Sequence, residues 1–157
     1  MSGTSEAGRF GRILLAVDGS AGSLQASRLA FRLAVSWGAA LRAIAVVGRD
    51  RAGPLVDRTE AGQAAGKRAR ASLEDALAHV VQAGAEAGVR VEPALRVSPA
   101  AEPYEMILDE AEQWPADLIV VGRGAHHGIG RALLGSQADH VLEFATLPVV
   151  VVPAMAP

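Results

Sequence analysis

The sequence predicts an α/β domain: an open five-stranded parallel sheet in the order 3-2-1-4-5, with helices on both faces. Three observations carry this. Short apolar runs alternate with longer helical patterns along the chain, as in successive βαβ units. One run, Leu118–Val121, is apolar at every position, which suits a strand covered on both sides. Five strands of this kind commonly wind outward from strand one and then return to its other side. The ends of strands one and four then meet at a switch point, where such sheets bind ligands.

The elements follow in order. Residues 1–10 are small and polar and are expected to be disordered, leaving 11–157 as one domain. Strand one is Arg12–Val17, ending at Asp18. Asp18-Gly19-Ser20 makes a tight turn, with Ser20 capping a helix that runs to Trp37. Its apolar positions Ala26, Leu29, Ala30, Leu33 and Trp37 repeat at helical spacing, and Gly38 is its C-cap. Strand two is Ala40–Val47, and the charged, Gly- and Pro-bearing stretch Gly48–Thr59 reads as a mobile loop. A long helix covers Glu60–Ala87, with Ala69, Leu73, Ala76, Leu77, Val80 and Ala87 as its buried stripe and Gly88 ending it. Strand three is Val89–Val97. A helix over Ala101–Trp114 follows, with Pro103 in its first turn, where proline is tolerated. Strand four (Asp117–Gly122), a glycine-rich loop, a helix over Ser136–Ala145 and strand five (Pro148–Val152) complete the chain.

Composition narrows the functions. Net charge is −2, so nothing demands a nucleic-acid or anionic-membrane partner. Cysteine is absent, which excludes disulfides, thiolate catalysis and cysteine-based zinc sites. No apolar run is long enough to span a bilayer, and the N-terminus has no signal-peptide core, so a cytoplasmic protein is expected.

The chemistry concentrates between strand four and the following helix. Gly122, Gly124, Gly128, Gly130 and Gly135 crowd the loop, and Ser136 is a natural helix N-cap. Glycines let backbone approach a ligand closely, and a helix N-terminus offers unpaired N–H groups to an anion. Together they describe a phosphate cradle facing Asp18 across the switch point. The loop is not a Walker A sequence, since no Lys-Ser/Thr pair follows a glycine, and it matches the dinucleotide fingerprint poorly. His126-His127 does not form a metal site, because adjacent loop residues rarely converge on one ion; His79 and His140 read as surface positions. No nucleophile–base arrangement is legible, so no catalytic residue is assigned, and a binding protein with slow or absent hydrolysis is expected.

Four stretches carry a family likeness: AVDGS (Ala16–Ser20), VVG (Val120–Gly122), LLGS (Leu133–Ser136) and LPVVVVP (Leu147–Pro153). By these the chain resembles the universal stress protein family from Arg12 to Pro153, and the resemblance implies an adenine-nucleotide α-hydrolase-like fold. In the ATP-binding branch the loop reads glycine, two residues, glycine, nine residues, glycine, then serine or threonine. Gly122 and Gly135-Ser136 fit that spacing, whereas the second glycine is replaced by Ala125. A methyl there costs roughly 1 kcal/mol if the position needs a left-handed backbone.

The resemblance implies a role for each matching residue. Asp18 accepts a hydrogen bond from the ribose or base, Val46 flanks the adenine, and Gly122 lies against the ribose. Gly124, Ala125, Gly135, Ser136 and Gln137 offer backbone N–H groups to the phosphates, with Arg123 and Arg131 as the nearby cations. ATP, with or without Mg²⁺, is the implied ligand, and a homodimer through Pro148–Val152 the implied assembly. Each residue also has a plainer reading: Asp18 as the cap of its turn, Ser136 as a helix cap, the glycines as a loop without a ligand. Three readings therefore stand: an ATP-binding stress or regulatory protein, a nucleotide-free interaction module motivated by Ala125, and a cyclic AMP binder needing fewer phosphate donors.

Overall fold

The computed structural model describes residues 8–48, 59–123 and 137–154. Its elements are β1 (Arg12–Ala16), α1 (Ala21–Trp37), β2 (Ala40–Val47), α2 (Glu60–Glu86), β3 (Val91–Val97), α3 (Pro103–Gln113), β4 (Leu118–Gly122), α4 (Gln137–Phe144) and β5 (Val149–Val152). Every predicted element is present, with boundaries that move by two residues at most. The expected loop at Gly48–Thr59 lies outside the described residues except at its two ends.

The strands form one parallel sheet in the order β3-β2-β1-β4-β5. The pleat divides β1 between two cores. Ile13, Leu15 and Val17 join Ala26, Ala30 and Ala34 of α1 and Leu73, Leu77 and Val80 of α2. Leu14 and Ala16 join Ile107 and Ala111 of α3 and Ala138 and Val141 of α4. Burying each large side chain of this kind contributes about 1.5–3 kcal/mol. Helices therefore cover both faces, as the uninterrupted apolar run of β4 requires; Leu118–Val121 are all buried.

Helix ends follow local chemistry. Ser20 caps α1 by accepting from the Ser23 amide, and Gly38 closes it at φ +65°, a left-handed conformation that favours glycine. Thr59 caps α2. α3 starts later than predicted because Glu102 and Glu105 form a reciprocal capping box, with Pro103 at the first helical position.

The buried stripes needed correction. In α1 the residues facing the sheet are Gly22, Ser23, Ala26, Ser27, Ala30, Phe31 and Ala34. Leu29, Leu33 and Trp37 are only half-buried. Small side chains let α1 approach the sheet closely and push the larger ones to its flanks. Ala87 is exposed at the end of α2, and Gly84 takes the buried place, where a Cβ would strike Val91. Phe10, assigned by sequence to the polar N-terminal segment, packs its ring 5.2 Å from that of Trp37.

The α3 face carries charge near the β3 edge. Glu110, 8% exposed, accepts from Arg42 at 2.7 Å, and Arg96 approaches its second oxygen at 3.5 Å. Arg42 also pairs with Glu92 at 2.6 Å and lies over the Trp114 ring at 4.8 Å. The network ties α3 to β2 and β3. Asp117 ties β4 to β1 in the same way, accepting from the amides of Gly11 and Arg12 at 2.8 and 3.0 Å.

The two sheet edges differ. Ser98 donates to Val47, so the even-numbered amides of β3 face β2 and Pro93 falls on the open edge, where its missing N–H leaves no ladder bond unmade. On the other edge, Pro148 and Val152 carbonyls accept from Ile119 and Arg123. The backbone groups of Val149 and Val151 therefore point outward. Among the described residues, no helix is long and apolar enough to cross a membrane.

Glu110→Gln keeps the shape of the side chain and removes its charge from between two arginines. It is expected to destabilise the protein by about 1–3 kcal/mol, read as a lower urea midpoint with an unchanged slope.

Candidate functional site

β1 and β4 are neighbours, with Ile13 opposite Leu118 and Leu15 opposite Val120. From the end of β1 the chain leaves toward α1 on one face of the sheet. α4, which follows β4, packs on the other. The divergence opens a crevice at the carboxyl ends of the two strands, the switch point of the fold.

The β1 side is a wound turn. The Asp18 amide donates to Ser23 Oγ at 3.1 Å, and Asp18 Oδ1 accepts from the Ser20 amide at 2.9 Å. Ser20 Oγ in turn accepts from the Ser23 amide at 3.1 Å. Gly19, at φ +82°, supplies the left-handed step between them. Asp18 is exposed, and among the described residues no donor reaches its Oδ2. The carboxylate thus shapes its own turn with one oxygen, and no described residue engages the other. The turn reading and the ligand reading of Asp18 use different atoms and are compatible.

The β4 side is held against α1 by two glycines. A Cβ on Gly22, in the first turn of α1, would stand 2.8 Å from the carbonyl carbon of Arg123, and one on Gly122 would stand 2.6 Å from the Ser23 nitrogen. Backbone meets backbone there, and neither position has room for a side chain. Gly122 is thus required by packing whether or not a ligand lies against it.

α4 is anchored by its first turn. Gln137 Oε1 accepts from the Tyr104 amide of α3 at 2.9 Å, and Asp139 Oδ1 accepts from Arg123 at 3.2 Å. Arg123 donates its own amide to the Val152 carbonyl at 2.8 Å. Val46, half-buried in β2, packs with the α3–α4 core. Beyond it the backbone at Gly48 runs against Pro103, 2.7 Å from where a Cβ would stand.

The structure therefore brings Asp18, Val46, Gly122 and Gln137 to one end of the sheet. Gly124, Ala125, Gly135 and Ser136 lie outside the described residues, as do Arg131 and His126-His127. His79 is exposed; His140 is exposed too, its ring tilted against that of Tyr104 at 4.9 Å. Sequence reasoning missed Gly22, Ser23 and Asp139. Ser23 was findable, three residues after a serine cap. The other two act through partners distant in sequence.

A groove of about 940 Å³ at the opposite end of the sheet, near Gly38 and Gly88, is a poorer candidate. Alanines, glycines and strand backbone line most of it. Of its charged side chains, Arg90 is exposed and Glu92 is committed to Arg42.

Residues 9–153 match the family model described as the universal stress protein family. The chain belongs to the universal stress protein family. A universal stress protein of Methanocaldococcus jannaschii is 34% identical over 145 residues, covering 91% of this chain and 82% of that protein. The universal stress protein UspA from Lactobacillus plantarum superposes with a TM-score of 0.74 at 26% identity, covering 92% of this chain and 98% of that one. The universal stress protein from Archaeoglobus fulgidus, solved in complex with dAMP, superposes with a TM-score of 0.62 at 25% identity, covering 90% and 97%. Membership agrees with the observed strand order and with the glycine at the end of β4.

The paired glycines generate a ranking. Gly22→Ala and Gly122→Ala are expected to cost about 1–3 kcal/mol or more from overpacking. Gly38→Ala, where no atom lies within 4 Å of the added methyl, should cost only about 1 kcal/mol of backbone strain. Equal losses in urea unfolding would show that α1 and β4 do not meet at these residues.

Proposed function

We propose that this protein binds an adenine nucleotide, ATP, in the crevice between β1 and β4, and acts as a regulatory binding protein in the stress response. The observation that carries the reading is the Oδ2 of Asp18, engaged by no described residue, at the switch point of a universal stress protein fold. A carboxylate oxygen held there by a rigid turn is suited to accept from a ribose hydroxyl or an adenine amine. The dAMP complex of the relative at 25% identity supports the ligand class.

In this reading Val46 flanks the adenine and Gly122 lies against the ribose. Gly124, Ala125, Gly135, Ser136 and Gln137 present backbone N–H groups to the phosphates, with the Ser136 hydroxyl adding one more donor. Mg²⁺ enters only as the counter-ion of ATP. Among the described residues no group of three His, Cys, Asp or Glu side chains converges on one point, and Mg²⁺ commonly rides on substrate phosphates with few protein ligands.

A second reading is a nucleotide with one phosphate, such as AMP or cyclic AMP. The monophosphate bound by the Archaeoglobus protein favours it, and so does Ala125, since fewer phosphates need fewer close backbone approaches. Competition titrations decide between the two. ATP at 100 times its Kd should add about 2.7 kcal/mol of stability. Asp18→Ala should weaken ATP by about tenfold or more, and Ala125→Gly should tighten it. Cyclic AMP displacing ATP at lower concentration would favour the second reading. No shift with any of these ligands would remove both.

The proposed assembly is a homodimer through β5. The outward backbone groups of Val149 and Val151 form an edge between Pro148 and Pro153 that no described strand pairs with. Val151→Pro removes one outward donor while leaving the bonds to β4 in place. Light scattering should then report a monomer where the parent chain reports a dimer.

A further inference from the structure

We propose that Arg123 is the side chain that recognises phosphate charge in the crevice, and that Asp139 competes with the ligand for it. The inference rests on the nucleotide reading above and specifies which charges select the ligand.

Arg123 has a fixed backbone and an exposed head. Its carbonyl lies against Gly22 of α1, and its amide is bonded to Val152 of β5. The guanidinium is 57% exposed and its described partner is Asp139, itself 46% exposed, at 3.2 Å. Three elements around the switch point, α1, β5 and α4, thus meet at one residue that contributes a cation.

The pairing is weak by construction. Exposed ion pairs of this kind contribute little to stability and exchange readily. A phosphate offers more charge than a carboxylate and accepts two parallel N–H bonds from a guanidinium, so it is the stronger partner. Asp139 lies in the first turn of α4, where the helix dipole favours a carboxylate even after the arginine has left it.

The charge balance makes the exchange selective. Among the described residues at the ends of β1 and β4 and in the first turn of α4, the charged side chains are Asp18, Asp139 and Arg123. Asp139 pairs with the guanidinium directly, and Asp18 adds a second carboxylate at the same end of the sheet. An anionic ligand that engages Arg123 must displace Asp139. Asp139 therefore raises the threshold for phosphate-bearing ligands without touching the nucleoside.

The test titrates the parent protein, Arg123→Gln and Asp139→Asn with ATP, adenosine and inorganic triphosphate by calorimetry at low salt. Arg123→Gln is expected to weaken ATP and triphosphate by about tenfold or more and to leave adenosine unchanged. Asp139→Asn is expected to tighten ATP and triphosphate by about two- to fivefold. The assignment is overturned if Arg123→Gln weakens adenosine as much as ATP, or leaves ATP unchanged. It is also overturned if Asp139→Asn fails to tighten ATP. Triphosphate binding with the expected pattern but no gain from the nucleoside would sink the nucleotide reading and leave Arg123 assigned. ATP and adenosine binding that ignores both substitutions would do the reverse. A parent protein that binds none of the three ligands removes both.

Discussion

The contact between the backbones of Gly22 and Gly122 constrains everything around the crevice. Helices normally stand off a sheet by the length of their side chains. Here the first turn of α1 touches the end of β4 directly. That approach explains the small stripe of Ala26, Ala30 and Ala34 along the buried face of α1. It holds Ser23 where its hydroxyl can accept from Asp18, and it presses the start of α1 against Arg123. A residue with any side chain at either glycine would lift the helix, and the Asp18 turn would move with it.

The two faces of the sheet solve their packing differently. Beneath α1 and α2 the buried side chains are almost all apolar; of the polar exceptions, Ser27 donates to the Ser23 carbonyl one turn back and Ser23 accepts from the Asp18 amide. The α3–α4 face is apolar near β1 and β4 but ionic toward β3. There Arg42, Arg96, Glu92, Asp109 and Glu110 interlock under a tryptophan ring. A pair this shielded adds modest net stability, yet losing one partner is costly. The arrangement fixes the position of α3, whose first turn receives Gln137 from α4 and so helps set that helix in place.

Much of this was legible in the sequence. Strand order, helix caps at Ser20 and Gly38, and the convergence of Asp18 with Gly122 all followed from local patterns and one topological rule. The apolar stripe of α1 was misplaced because a periodicity count favours large side chains, whereas the close approach of α1 to the sheet selects small ones. The role of Gly22 was hidden because its partner is a hundred positions away and the reason for it is steric. Nothing near Asp139 in sequence marks it; only the fold shows it facing Arg123. The ionic cluster around Glu110 escaped for the same reason, since its members come from β2, β3 and α3. In the site itself, the glycine spacing from Gly122 to Ser136 carried the expectation, and the described residues add the part that spacing cannot express: which oxygen of Asp18 is already occupied.

Pro93 has an effect beyond its own strand. A parallel sheet has two sides on which another strand can be laid, and hydrogen-bonded growth continues as long as each newcomer exposes a fresh one. With a proline interrupting the outward donors of β3, recruitment among the described strands is favoured along β5. Two molecules that join along β5 cover that edge in each, and what they leave outermost is the edge already interrupted by Pro93.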